Sequence, residues 1–355
     1  MEKDKHYERD SGKTMKAAFI YEPFKLEIKE NVRIPKPDKD EILVKVRAIG
    51  ICPSDVRYYT GEGIHKEVPY GEDSYGLLGH EWSGEVIEVG SEVENVEIGD
   101  YVAPDSLVPC NNCRYCRMGL TNLCKNKKFY LRGFAEYAIA YGPNAYKFPK
   151  NIKFEEACFA EPLSCVVNSI RIADIKPEDV ILIVGAGPMG LLHTQLAKLS
   201  GATVIVSEVI KDRVNMAKQV GADIAVNTVE DDLSREVKEL TEGIGADKVI
   251  ITIGNRVAIE QHIKFVRRKG TVILFGGTAP PTNISIDPNL IHYGEIILTG
   301  ASDHIGEDYR IAMRLIIERK ILLDPLISHT FKLDNLAEAF ETVRSKKGLK
   351  VVVYP

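Results

Sequence analysis

The sequence predicts an α/β protein in which a β-rich part is followed by a doubly wound parallel sheet. Three observations carry that expectation. Apolar residues alternate with polar ones from Met15 to about residue 150, short continuous apolar runs separated by helix-like stretches begin near residue 160, and a glycine loop, Gly185-Ala-Gly187-Pro-Met-Gly190, directly follows the first of those runs. At 355 residues the chain exceeds what one core holds and suits two domains.

In the first part Leu43-Val-Lys-Val-Arg-Ala48 and Gly84-Glu-Val-Ile-Glu-Val-Gly90 have the period of half-buried strands, and Glu97 to Val102 reads as a turn and a strand. In the second part Val180-Ile-Leu-Ile-Val184 is apolar throughout, as a strand covered on both faces requires. Thr203–Ser207, Ile224–Val226, Lys248–Thr252, Thr271–Phe275 and Glu295–Thr299 continue the series. Helices are expected over Pro188–Leu199 and Lys211–Val220, with others before the fourth strand and between the fourth and fifth. After about residue 303 the pattern turns mixed and ends in the strand Lys350-Val-Val-Val-Tyr354, which is expected to rejoin the first domain.

Hydrophobic residues at 45% and charged residues at 27% describe an ordinary soluble globular chain. A net charge of −5 supplies no basic footprint for nucleic acid, and no apolar run approaches a membrane span. Residues 1–14 are polar and charged, without the apolar centre of a secretory signal, and read as a flexible extension. Seven cysteines, four of them clustered, fit a reducing cytoplasm. Cys158 and Cys165 read as small buried hydrophobes, and His6, His65 and His193 as surface or helix residues.

The four clustered cysteines, Cys110, Cys113, Cys116 and Cys124, are spaced C-x2-C-x2-C-x7-C. Four thiolates so close in sequence can close a tetrahedron about Zn²⁺ and leave no open position, which makes the site structural. Cys52, His80, Glu81 and Glu161 are candidates for a second, open zinc site, because thiolate, imidazole and carboxylate suit that ion. A thiolate and one carboxylate offset its charge, so one glutamate should bind and the other stand a water away. Asp55 is placed to hold His80 through its other ring nitrogen.

The glycine loop between a strand and a helix suits a dinucleotide pyrophosphate: Gly185, Gly187 and Gly190 permit the turn, the close approach and the helix packing. Glu208 ends the next strand, where a carboxylate can accept from both adenosine ribose hydroxyls and repel a 2′-phosphate, which favours NAD. Lys211 and Arg213 follow and could line the adenine side.

Taken in order, Gly50-Ile-Cys52-Pro-Ser54-Asp55-Val, Gly79-His80-Glu81-Trp-Ser-Gly84, the four-cysteine lobe and Glu161-Pro162-Leu163-Ser164 resemble the zinc-dependent medium-chain alcohol dehydrogenases. The likeness runs from Met15 to Pro355 and is strongest to the polyol (sorbitol-type) branch. It implies a GroES-like catalytic domain over residues 1–160, with the lobe at 110–124, a Rossmann NAD-binding domain over 161–302, and a return of 303–355 to the catalytic domain. It further implies Glu81 as third zinc ligand, Glu161 beside the zinc-bound water, Lys350 near the cofactor pyrophosphate, and dimers or tetramers, in line with an apolar edge strand at Glu295–Thr299.

The implied reaction moves hydride from a secondary hydroxyl of a polyol or sugar to NAD, with Ser54 taking the hydroxyl proton. Two departures stand out. Arg57 occupies a position where the family often has a relay histidine, and the Cys124–Phe134 segment is short. Arg57 is therefore expected to contact substrate or cofactor, and Tyr58, Asp303 and His304 fall where the polyol branch has pocket residues. L-Threonine 3-dehydrogenase is a sister alternative, to whose pattern Glu161-Pro-Leu-Ser-Cys is less similar. A non-catalytic zinc-binding relative would have lost ligands that are all present here.

Overall fold

A computed structural model describes residues 10–62, 69–76 and 78–355, with Asp10 and Ser11 described by their backbone only. The chain divides into two compact units, one running to Pro162 and resuming at Ile305–Pro355, the other Leu163–His304. The sequence put these divisions at 160/161 and 302/303, so Glu161 falls with the first unit and Asp303 and His304 with the second. No described helix is long and apolar enough to cross a membrane.

The first unit is built on a seven-stranded sheet. Its strands run in the order Ile327–Lys332, Lys350–Tyr354, Glu41–Gly50, Glu81–Val89, Tyr101–Pro104, Ala145–Lys147, with Tyr137–Tyr141 also paired to Glu41–Gly50. Parallel pairing of the first two and antiparallel pairing of the rest bring the last strand of the chain onto Glu41–Gly50. The inward residues Ile42, Val44, Ile49, Trp82, Val86, Val351 and Val353 form one core with Tyr58, Phe134 and Phe340. A hairpin of Asp10–Glu22 and Lys25–Pro35 covers it, turning through Phe24 in the left-handed region. Of the expected flexible extension, residues 1–9 lie outside the described residues, but residues 10–14 belong to this hairpin, Thr14 pairing with Arg33. Backbone pairing there needs no apolar side chains, so a polar sequence did not reveal it. His6 and His65 also lie outside the described residues.

The second unit is a six-stranded, all-parallel sheet. Its order is Ile224–Asn227, Thr203–Glu208, Val180–Val184, Ala246–Ile251, Val266–Leu274, Ile297–Gly300. The order reverses direction at Val180–Val184, the strand that feeds the glycine loop; in such sheets this switch point is where ligands bind. The expected strands are all present, the last shifted from Glu295–Thr299 to Ile297–Gly300 at the sheet edge. A helix at Pro288–Gly294, capped by Asp287 accepting from Asn289 N at 2.9 Å, was not expected from its composition.

Helix Pro188–Leu199 packs His193 into the core, fully buried. Its Nδ1 is 2.7 Å from Met189 O, its ring sits edge-on to Phe275, and its Nε2 has no hydrogen-bond partner among the described residues. Burial pushes its pKa down to about 4, the Met189 carbonyl opposing only in part. A depressed folded value means stability that is present above the unfolded pKa, near 6.5, and is lost as pH falls toward 4. Between about pH 7.5 and 5 the wild type should lose roughly 2 kcal/mol relative to His193→Leu, measured by denaturant unfolding at each pH. Parallel stability curves for the two proteins would refute a buried neutral His193.

Candidate metal centres and dinucleotide site

Short local turns shape the lobe. A helical turn Arg114–Arg117 and a 3₁₀ turn Thr121–Leu123 curl the chain so that four sulfurs face one another. The Sγ–Sγ distances are 3.4 Å (Cys110–Cys124), 3.5 Å (Cys113–Cys116), 3.8 Å (Cys113–Cys124) and 3.9 Å (Cys110–Cys116). A tetrahedron with Zn–S of about 2.3 Å has edges of about 3.8 Å, whereas a disulfide needs about 2.05 Å. The spacing fits zinc, and none of the seven cysteines is in a disulfide. The Cys116 backbone N–H pulls Cys113 down to about 6, while burial, reinforced by its neighbours, pushes Cys116 up to about 12. A central cation would remove that mutual opposition.

The second cluster comes from two strand ends and a helix start. Ligand atoms of Cys52, His80 and Glu81 lie within 4.8 Å of one another. Cys52 caps helix Pro53–Thr60, and Glu81 opens the strand that pairs with Gly50. Asp55 binds both halves together: its Oδ2 accepts from Cys52 N at 2.8 Å and its Oδ1 is 3.4 Å from His80 Nδ1. Nδ1 also meets Leu78 O, so Nε2 is the nitrogen left for a metal. Burial alone would depress His80, but the Asp55 carboxylate outweighs it and holds the imidazole well above its ordinary range.

Lys350 is the residue the sequence placed elsewhere. It is buried in the first unit, its ammonium paired with Glu81 Oε2, 3.3 Å from Ile51 O and over the ring of Phe159. That pairing engages the amine that the likeness had assigned to a pyrophosphate. Burial pushes it down to about 8, with Cys52 and Asp55 opposing. Gly50 leaves room for this pair: a Cβ there would stand 2.6 Å from Glu81 Oε2 and 2.6 Å from Lys350 Cε and would push the two side-chain ends aside. A single charge heading the apolar run Lys350-Val-Val-Val was the available signal, but its partner could not be read.

In the second unit the glycines divide by role. A Cβ at Gly190 would meet Gly185 O at 1.9 Å, and Gly185 has φ +98°, so both are demanded by the turn itself. Gly187, which caps helix Pro188–Leu199, has only Arg213 Nη1 near, at 4.0 Å, and so leaves room for a close-lying phosphate with Arg213 above it. Glu208, expected as a ribose acceptor, uses both oxygens to accept from backbone amides. Its Oε2 accepts from Ala186 N at 2.8 Å, and its Oε1 from Val209 N at 2.7 Å and Ile210 N at 3.0 Å. It thus fastens the glycine loop to the neighbouring strand end. The loop fits a dinucleotide through the start of helix Pro188–Leu199, since the Gly185 and Ala186 amides are already taken by Ser207 O and Glu208.

The other expected residues are more scattered. Ser54 and Arg57 lie half-buried on helix Pro53–Thr60. Tyr58 is corrected: it is 1% exposed, stacks on Tyr70 and donates to Pro69 O, so it is core rather than pocket. Three residues after Asp55, it shares that residue's buried helix face. Glu161 stands in the first turn of helix Ala160–Ala173, outside the Cys52 cluster; with burial and Asp105 its charge holds the Tyr309 phenol protonated. Asp303 takes a left-handed φ of 52°, and its carbonyl accepts from Asn168 Nδ2 at 2.9 Å. His304 is 2% exposed, with Nδ1 3.7 Å from Cys165 Sγ. Cys158 is buried as expected; Cys165 is only partly so.

After brief treatment with a weak chelator, elemental analysis should find about two zinc per chain, one lost in each of Cys113→Ser and Cys52→Ser. Cys113→Ser should lower the melting temperature, whereas Cys52→Ser should leave it near wild type and abolish turnover; a fully active Cys52→Ser protein would contradict the assignment. Glu208→Gln, which keeps the shape and loses the charge, should narrow a preference for NAD over NADP. Glu208→Ala should also strip three amides of their acceptor and weaken NAD binding roughly ten-fold or more, by calorimetry.

Comparison with known proteins accords with this geometry. The alcohol dehydrogenase GroES-like domain family matches residues 38–150, and the zinc-binding dehydrogenase family matches residues 188–318. The chain is 39% identical over 330 residues to the L-threonine 3-dehydrogenase of Pyrococcus furiosus, covering 90% of this chain and 93% of that one. It is 33% identical over 328 residues to the sorbitol dehydrogenase of Halalkalibacterium halodurans, with the same 90% and 93% coverage. Among solved structures, a presumed zinc-binding dehydrogenase of Sinorhizobium meliloti 1021 bound to NADP superposes with a TM-score of 0.89 at 30% identity, over 97% of this chain and all of the other. With a GroES-like unit, a parallel-sheet unit with a dinucleotide loop, and thiolate-rich metal sites, the chain belongs to the zinc-dependent medium-chain alcohol dehydrogenases, oxidoreductases that act on CH–OH groups.

Proposed function

We propose that this protein oxidises a secondary hydroxyl of a polyol or sugar with NAD as hydride acceptor. The observation that carries the reading is the donor set Cys52, His80 and Glu81, three ligands of mixed type that leave a tetrahedral zinc one open position. When bound, zinc would acidify a hydroxyl at that position and NAD would accept its hydride. The chain's own residues do the rest. Cys52, His80 and Glu81 hold the cation, with Glu81 rather than Glu161 as the direct carboxylate, since only Glu81 lies in the cluster. Asp55 orients His80. Ser54, two residues beyond Cys52 in the first helical turn, would take the hydroxyl proton, with Glu161 and water, or a ribose hydroxyl when the dinucleotide is bound, as the groups that could receive it. Arg57 stays charged, with a pKa above about 12, and so contacts substrate or cofactor instead.

The relative named sorbitol dehydrogenase supports the polyol. The Pyrococcus relative, more similar and named L-threonine 3-dehydrogenase, supports a second reading in which the secondary hydroxyl is that of threonine. The free thiols suit a cytoplasmic location. The edge strand Ile297–Gly300, with Ile297 56% exposed, suits pairing into a homodimer or homotetramer.

NAD reduction across polyols, aldoses, simple aliphatic alcohols and L-threonine decides the substrate. The highest kcat/KM should fall to a polyol or sugar; threonine in first place would establish the second reading, and an aliphatic alcohol would overturn both. Ser54→Ala should lower kcat by roughly 10²–10⁴-fold, and Arg57→Ala should act mainly on KM.

A further inference from the structure

We propose that Cys165 and His304 form an additional, exchangeable binding site for a zinc-like divalent cation. Their Sγ and Nδ1 lie 3.7 Å apart. In tetrahedral zinc, a sulfur at about 2.3 Å and a nitrogen at about 2.05 Å are roughly 3.6 Å apart, so the pair already has the spacing that zinc imposes.

The pair is built rather than incidental. Cys165 lies on helix Ala160–Ala173, and Asn168, three residues on, donates through Nδ2 to Ser302 O at 3.3 Å and Asp303 O at 2.9 Å. Arg171 Nη2 holds the Asn168 amide by donating to its Oδ1 at 2.8 Å. With Asp303 in a left-handed turn, these bonds fix the backbone that presents His304 to the helix. His304 is 2% exposed, whereas Cys165 is partly open, which gives a cation a way in. Thiolate and imidazole select zinc, cobalt or cadmium over magnesium or calcium. Glu161, four residues before Cys165 on the same helix, shares its face and supplies a carboxylate to that side. Water completes the shell, so this site should be weaker than the four-cysteine lobe.

The test uses the full-length protein carrying its two tightly held zinc ions. On equilibrium dialysis against micromolar zinc, the wild type should take up one more equivalent. Cys165→Ser and His304→Ala should each lose it and keep the first two, and Cys158→Ser, which removes a buried thiol outside the pair, should retain all three. Zinc, but not magnesium, should also slow iodoacetamide alkylation of wild-type Cys165 by roughly ten-fold or more, followed by peptide mass. The alkylation arm stands even if a variant fails to fold. The readouts are metal content and thiol protection, so they are independent of which substrate is oxidised. No additional equivalent in the wild type, its retention in Cys165→Ser, or unprotected Cys165 would overturn the site and leave an ordinary thiol–imidazole contact.

Discussion

The first unit depends on where one amine is buried. Lys350 reaches Glu81 from the far end of the sequence, 269 residues away, with side-chain exposures of 4% and 2%. Gly50 pairs with Glu81 on one side and Val352 on the other, so three strands meet at a residue that has no side chain. Removing one partner from a buried ion pair leaves an uncompensated charge at a cost of about 3–5 kcal/mol. The arrangement therefore locks the strand register that sets Cys52, just past Gly50, against His80 and Glu81.

It also sets the electrostatics of the metal site. Thiolate and carboxylate would bring two negative charges together with little water, and the ammonium offsets part of that before any cation arrives. Glu81 then faces two claims, one from Lys350 and one from a metal. Zinc would have to share this carboxylate with Lys350. The lobe at Cys110–Cys124 is the contrast: four sulfurs stand at tetrahedral spacing, which would leave a zinc ion no open position.

A recurring device joins the two units' chemistry. Asp55 and Glu208 are both carboxylates at the edge of a site, and both spend oxygens on backbone amides. Asp55 takes Cys52 N while facing His80, and Glu208 takes Ala186, Val209 and Ile210 N while facing the cofactor loop. Carboxylates fixed in this way keep their direction at little further entropic cost, which suits groups that must present a charge accurately.

The sequence by itself determined whatever is encoded over short spans. The parallel sheet was legible in its five-residue apolar runs, the dinucleotide loop in three glycines between strand and helix, and the lobe in four cysteines within fifteen residues, because each is a local pattern with one economical fold. Cys52, His80 and Glu81 were legible as donors. The tertiary structure brought the Glu81 carboxylate within 4.8 Å of Cys52 and His80, through the pairing of Gly50 with Glu81 across the sheet. It turned Tyr58 into the core, drew Lys350 onto Glu81, tied Glu208 to the glycine loop and set His304 against Cys165. Each of these is a contact made or lost through chain closure over long separations, and composition and spacing carry no record of which distant partner a side chain will meet.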